Sequence, residues 1–170
     1  FPTNVVGITL NGHSGSKIRD LDFRGGSDVI SLVNSSAVIQ GIVVRNNTRD
    51  GVAATGSGSS GTITLCLFDH PGRSGVSTGA GAPVMIFRNT VIHSGESGFL
   101  IGSNATVLSN LSFDAQDFGF RCSEPATNPT LSCNDAFGSL NGNYECASVV
   151  DILKANFQLN PRFCPGSYRL

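Results

Sequence analysis

One stretch, residues 38–54 (VIQGIVVRNNTRDGVAA), returns before and after itself at a pitch of 21 to 24 residues. Aligned on one apolar residue per repeat, Phe23, Val44, Phe68, Ile92 and Phe113, the separations are 21, 24, 24 and 21. Five residues upstream stands Ile18, Ile39, Ile63, Phe87 or Leu108; two residues upstream stands Leu21, Ile42, Cys66, Thr90 or Leu111. A third strand opens with Ile8, Val29, Val52, Val76, Phe99 and Phe120. Before each of these comes Gly7, Asp28, Gly51, Gly75, Gly98 or Gly119. Unrelated strands would not keep four registers in step.

A period of this length marks a solenoid. The segments are short, β-branched and aromatic, and broken by Gly, Asn, Asp and Ser, while no window carries a helical apolar stripe that fills the repeat. Three short strands per turn describe a parallel β-helix of about six turns. Its rungs stack at about 4.8 Å, with ladders of like residues as the core. The glycine column reads as corners where φ turns positive, and Asp28 is its one exception, tolerated because Asp shares some of that freedom. Asn46, Asn47, Asn89 and Asn110 sit at or near corners for a related reason. The expectation is one domain over residues 1–170, regular in 1–122, with an irregular last turn and cap in 123–170. Within that end, residues 131–139 read as one more strand and corner, and 148–155 (SVVDILKA) as a short helical turn.

Composition excludes several classes. A net charge of −1 with charged residues at 14% argues against nucleic-acid binding, which needs a basic surface. No apolar run reaches the roughly 18 residues that span a bilayer, so membrane insertion is not expected. No signal peptide precedes Phe1, and residues 1–12 hold the tail of a rung, so a mature form or a piece of a larger chain is expected. Of five cysteines, Cys122, Cys133, Cys146 and Cys164 fall late and outside any C-x-x-C pair, which favours disulfides in an oxidising compartment over a zinc cluster. Cys66, in an apolar strand, reads as a small buried hydrophobe. The expected location is secreted or cell surface.

Units such as TVIHSGESGFLIG and IVVRNNTRDGVAATG resemble the rungs of the pectate-lyase-like superfamily over about residues 5–122. The closing CNDAFGS and NFQLNPRFCPGSYRL are similar to the final coil of secreted bacterial β-helix proteins, with Asn160-Pro161-Arg162-Phe163 where Asp-Pro is expected. The resemblance implies a right-handed parallel β-helix and not an activity, since that superfamily mixes lyases, hydrolases, epimerases and adhesins.

Two outward columns carry most of the charge: Arg24, Arg45, Asp69, His93, Asp114, and Gly26, Arg49, Arg73, Glu96, Asp117. They flank one turn and run from basic to acidic, with His70 beside Asp69. Read as an enzyme of the superfamily, Asp69, His93, Arg73, Glu96 and Asp114 are the catalytic candidates. An arginine base would abstract a proton beside a uronate carboxylate with acidic residues holding calcium, or paired carboxylates would act as acid and base. Arg45, Arg49, His70 and Asp117 are then the binding candidates. The plainer reading is cross-strand pairs, Arg45 over Asp69 and Arg73 over Glu96, worth roughly 0.2–1 kcal/mol each. Hydrolase motifs N-T-D, D-D, G-H-G and R-I-K are absent; Phe68-Asp69-His70 matches the lyase W-I-D-H strand only weakly, and Pro71-Gly72-Arg73 does not make its R-x-P-x-x-R loop. Residues 56–61 (GSGSSG) lack the Lys-Ser/Thr of a phosphate loop. Asp20 and Asp22 lack a third partner for calcium. Four N-x-S/T matches fall where asparagine-rich corners produce them by chance. No metal site and no cofactor is expected, calcium apart. Short corners leave little to wall a cleft, so the expected function is a non-catalytic module: a rigid scaffold, or a domain that binds polysaccharide or a surface protein. The alternative is a polysaccharide lyase or glycoside hydrolase acting on an acidic polysaccharide.

Overall fold

A computed structural model describes residues 7–123, 129–146 and 156–160. The first turn is β1 (Ile8–Asn11), β2 (Ser16–Arg19) and β3 (Asp22–Arg24). The second is β4 (Ile30–Val33), β5 (Ser36–Gln40) and β6 (Val43–Arg45). The third is β7 (Val52–Thr55), β8 (Ser60–Thr64) and β9 (Leu67–Asp69), and the fourth β10 (Val76–Thr78), β11 (Val84–Phe87) and β12 (Thr90–Ile92). The fifth is β13 (Phe99–Ile101), β14 (Thr106–Leu108) and β15 (Leu111–Phe113), and the sixth β16 (Phe118–Cys122), β17 (Thr130–Ser132) and β18 (Asp135–Phe137). A last strand, β19 (Gly142–Glu145), opens a further turn. Every third strand pairs in parallel, giving sheets of seven, six and six strands. No helix among the described residues is long and apolar enough to cross a membrane.

The interior is a set of ladders. Ile18, Ile39, Ile63, Ile86, Val107 and Leu131 stack in one sheet. Phe23, Val44, Phe68, Val91, Ser112 and Ala136 stack in the next. The third carries Ile8, Ile30, Val52, Val76, Phe99, Phe120 and Tyr144. Its aromatic end is a true stack, with Phe99 and Phe120 centroids 4.7 Å apart and Phe120 and Tyr144 5.2 Å apart. Burial raises the Tyr144 phenol pKa above its usual range, and its single O–H is shared between the carbonyls of Asn134 and Phe157, each 2.9 Å away.

The sequence alignment slips by one residue in places. Phe87 and Leu108 stand one residue beyond the inward positions, which belong to Ile86 and Val107. Ile92 and Phe113 likewise yield to Val91 and Ser112. Apolar neighbours such as Ile86-Phe87 and Val91-Ile92 fit either face, and a one-residue slip flips every side chain. Val29, not Asp28, stands in the glycine column, because Ile30 pairs with Ile8 and Val52. The regular coil also runs past residue 122. Leu131 and Ala136 continue their ladders, so 131–139 is two strands and their corners, and Asp135 bridges Phe157 beyond them. The expected helical turn at 148–155 and the closing segment from residue 161 lie outside the described residues.

An asparagine ladder runs inside one corner. Asn89, Asn110, Asn134 and Asn156 are buried, and each Oδ1 accepts the backbone N–H of the residue one rung back, starting from Cys66. Their side-chain amides donate to the carbonyls of Ile63, Ile86, Val107 and Leu131. These groups are buried and would otherwise be orphaned.

Of the expected disulfide cysteines, Cys122 and Cys146 are joined, with Cα atoms 4.9 Å apart on neighbouring rungs. Cys133 is a correction: it is a free, exposed thiol at a corner residue of φ 55° that turns outward. Cys164 lies outside the described residues. Cys66 is buried, its thiol donates to the Thr64 carbonyl at 3.1 Å, and burial pushes its pKa up to about 11. Alkylation of the native protein followed by peptide mass mapping is expected to label Cys133, with Cys66 labelled only after denaturation. Equal labelling of both in the native state would contradict the buried ladder.

Candidate polar corner

The corner that follows the last strand of each coil opens on a left-handed residue. Gly25, Asn46, His70, His93, Asp114 and Gly138 occupy it, with φ from 54° to 77°. Asn, Asp and His are the non-glycine residues most enriched in that region. Their N–H groups pair along the rungs: Asn46 donates to the Asp69 carbonyl at 2.9 Å, His70 to Ile92 at 3.0 Å and His93 to Phe113 at 2.9 Å. The backbone therefore fixes where each side chain leaves the coil.

This column corrects the expected one. Arg24, Arg45 and Asp69 share a strand-end column, but Ile92 and Phe113 continue it. His93 and Asp114 belong one residue on, with His70. The slip brings two imidazoles onto successive rungs, their centroids 4.4 Å apart. His70 Nδ1 is 2.6 Å from Asp69 Oδ1. His93 Nδ1 lies 3.9 Å from the same oxygen, and His93 Nε2 lies 3.7 Å from Asp114 Oδ2. One ligand atom from each of Asp69, His70 and His93 falls within 4.8 Å of the others, so these three could hold a metal ion.

The second expected column holds for most of its length. Backbone N–H groups run from Arg73 to Arg49, Glu96 to Arg73 and Asp117 to Glu96. Gly26 falls out of step, accepting from Thr48, because the first corner is shorter. Arg73 Nε reaches Glu96 at 3.4 Å and its Nη1 lies 4.0 Å from Asp50. Arg49 pairs with Asp28 at 3.3 Å. The anticipated contact of Arg45 with Asp69 is replaced: the guanidinium reaches back one rung to Asp22 at 2.8 Å. Asp117 accepts from Arg121 at 2.7 Å and Asn141 at 3.0 Å.

Asp28 and Asp50 form a buried step under this surface that sequence reasoning missed. Asp28 Oδ1 accepts the Asp50 N–H, and Asp50 Oδ1 accepts the Ser74 N–H. Burial raises the Asp50 pKa, opposed by the Ser74 N–H and Arg73. Asp50 in turn is the main reason the Arg73 pKa is raised, with Glu96 adding to it and partial burial opposing it. The readable signal was Asp50 just before Gly51, at a position where later turns carry Ser74 and Ser97.

A family model described as right handed beta helix region matches residues 6–148. The chain belongs to the right-handed β-helix family. No curated protein and no solved structure matches it. The polar corner of this β-helix combines a column of left-handed residues with four arginines, Arg24, Arg45, Arg49 and Arg73, each facing a carboxylate of Asp22, Asp28, Asp50 or Glu96.

Proposed function

We propose that this β-helix is a non-catalytic module of an exported protein, a rigid scaffold that presents its polar corner to acidic polysaccharide. The observation that carries the reading is the pairing of Arg73, whose Nε lies 3.4 Å from Glu96 and whose Nη1 lies 4.0 Å from Asp50. A lyase base must be unprotonated when it meets the substrate. Arg73 faces Glu96 and Asp50, which raise its pKa and hold the guanidinium charged. A charged guanidinium binds carboxylates and abstracts nothing. The corners add to this. Only residues 70–75 separate β9 from β10, and 93–98 separate β12 from β13, so no long loop walls a cleft there. Export is supported by the Cys122–Cys146 disulfide, which belongs to oxidising compartments.

Incubation with uronate-containing polysaccharides, with and without calcium, is expected to release no ultraviolet-absorbing unsaturated product. On a glycan array the wild-type domain is expected to retain acidic polysaccharides. Arg24→Ala with Arg49→Ala should weaken that retention about tenfold, the equivalent of about 1.4 kcal/mol. Release of unsaturated product that Arg73→Ala abolishes would make the protein a lyase. An array with no acidic ligand would remove the binding half of the reading.

A further inference from the structure

We propose that Asp69, His70 and His93 form a binding site for a single zinc-class divalent ion, with Asp114 orienting His93. The three candidate ligands come from two adjacent rungs. Asp69 ends β9, His70 is the left-handed corner residue after it, and His93 is the corner residue one rung on. His93 offers Nδ1 to the side where Asp69 lies, at 3.9 Å, and His70 presents Nδ1 2.6 Å from the same carboxylate oxygen. Tetrahedral zinc with bonds of about 2.0–2.1 Å places its ligand atoms about 3.3 Å apart. The observed separations bracket that value, so a small rotation of the exposed His70 ring against the half-buried Asp69 and His93 closes the site.

Two features favour a metal over a plain ion-pair cluster. Metal-bound histidines characteristically donate their second N–H to a carboxylate, which fixes the ring and its tautomer. His93 Nε2 faces Asp114 Oδ2 at 3.7 Å, on the side away from Asp69. The two rings also lie 4.4 Å apart at 38°, with an Nδ1 of each within 3.9 Å of one Asp69 oxygen. Two imidazoles and one carboxylate select a zinc-class ion over calcium, which takes oxygen ligands. Three protein ligands leave the remaining position to water or to a ligand oxygen. The site stands independently of whether the module binds glycans.

The test is calorimetric titration of the whole chain with zinc chloride and, separately, calcium chloride, in a Cys133→Ser background that removes the exposed thiol. One zinc per chain is expected, bound at least 100-fold tighter than calcium. His70→Asn and His93→Asn are the diagnostic variants, because Asn46 already occupies the same left-handed column and the fold tolerates it. Each should lower zinc affinity about 100-fold, and Asp69→Asn likewise, with melting temperature in the absence of zinc unchanged. Asp114→Asn should lower affinity about tenfold, the lower end for an outer partner. No zinc binding by the wild-type chain, or binding that His70→Asn and His93→Asn leave intact, overturns the proposal.

Discussion

Asn110→Ala is expected to cost about 4 kcal/mol of folding stability, read from urea unfolding. Asn110 is buried and makes contacts in both directions along the coil. Its Oδ1 accepts from the Asn89 backbone N–H at 2.9 Å and from Asn89 Nδ2 at 3.0 Å. Its Nδ2 donates to the carbonyls of Ile86 and Leu108 and to Asn134 Oδ1, at 2.9 to 3.0 Å. Alanine strands the Asn89 N–H away from water and takes a donor from the Ile86 carbonyl, while the Leu108 carbonyl keeps the Arg88 N–H at 3.2 Å. Each stranded group costs roughly 1–3 kcal/mol, which is why the sum exceeds the loss of one ordinary hydrogen bond. Leucine would fill the volume and fare no better, because the orphaned groups belong to the backbone. A change under about 1 kcal/mol would mean that water replaces the amide, and the ladder would then be decoration.

Gly51→Val is expected to cost about 4 kcal/mol or to prevent folding, above the usual 1–3 kcal/mol of an overpacked core. A Cβ there would sit 2.2 Å from Phe68 Cδ1 and 2.6 Å from the Gly75 carbonyl oxygen. Phe68 is fully buried, so its ring cannot swing into solvent, and the carbonyl is part of the ladder, where Val52 N–H donates to it at 2.9 Å. Phe68→Ala should therefore recover part of the loss in a double-mutant cycle, with a coupling of at least about 1 kcal/mol. A Gly51→Val protein as stable as wild type would show that the two sheets do not approach as closely as the structure has them.

These two residues also mark where sequence reasoning reached its limit. The glycine column was visible, but its cause was misread. Gly51, Gly75, Gly98 and Gly119 are glycine because a Cβ would strike Phe68, Val91, Ser112 and Ala136 across the interior. The positive φ angles fall instead on Asn46, His70, His93 and Asp114, polar residues that look in sequence like a charged strand face. Asn89 and Asn110 were placed at corners, yet their burial was invisible, since an exposed corner asparagine and an inward one are spelled alike. Asp69, Arg73 and Glu96 were legible as neighbours on one face. That His93 and Asp114 stand in register with His70 was not, because a single residue of turn length decides it.

Repetition alone was enough to set the architecture: a chain that spells the same short strands every 21 to 24 residues has no cheaper way to bury them than by stacking. It also determined that a charged stripe would run beside one corner. Only the folded coil decided which face each residue of an apolar doublet takes, which asparagines go inside, and which imidazoles meet. Those outcomes depend on contacts between residues a full turn apart, where one inserted or missing corner residue shifts every partner while leaving the local pattern unchanged.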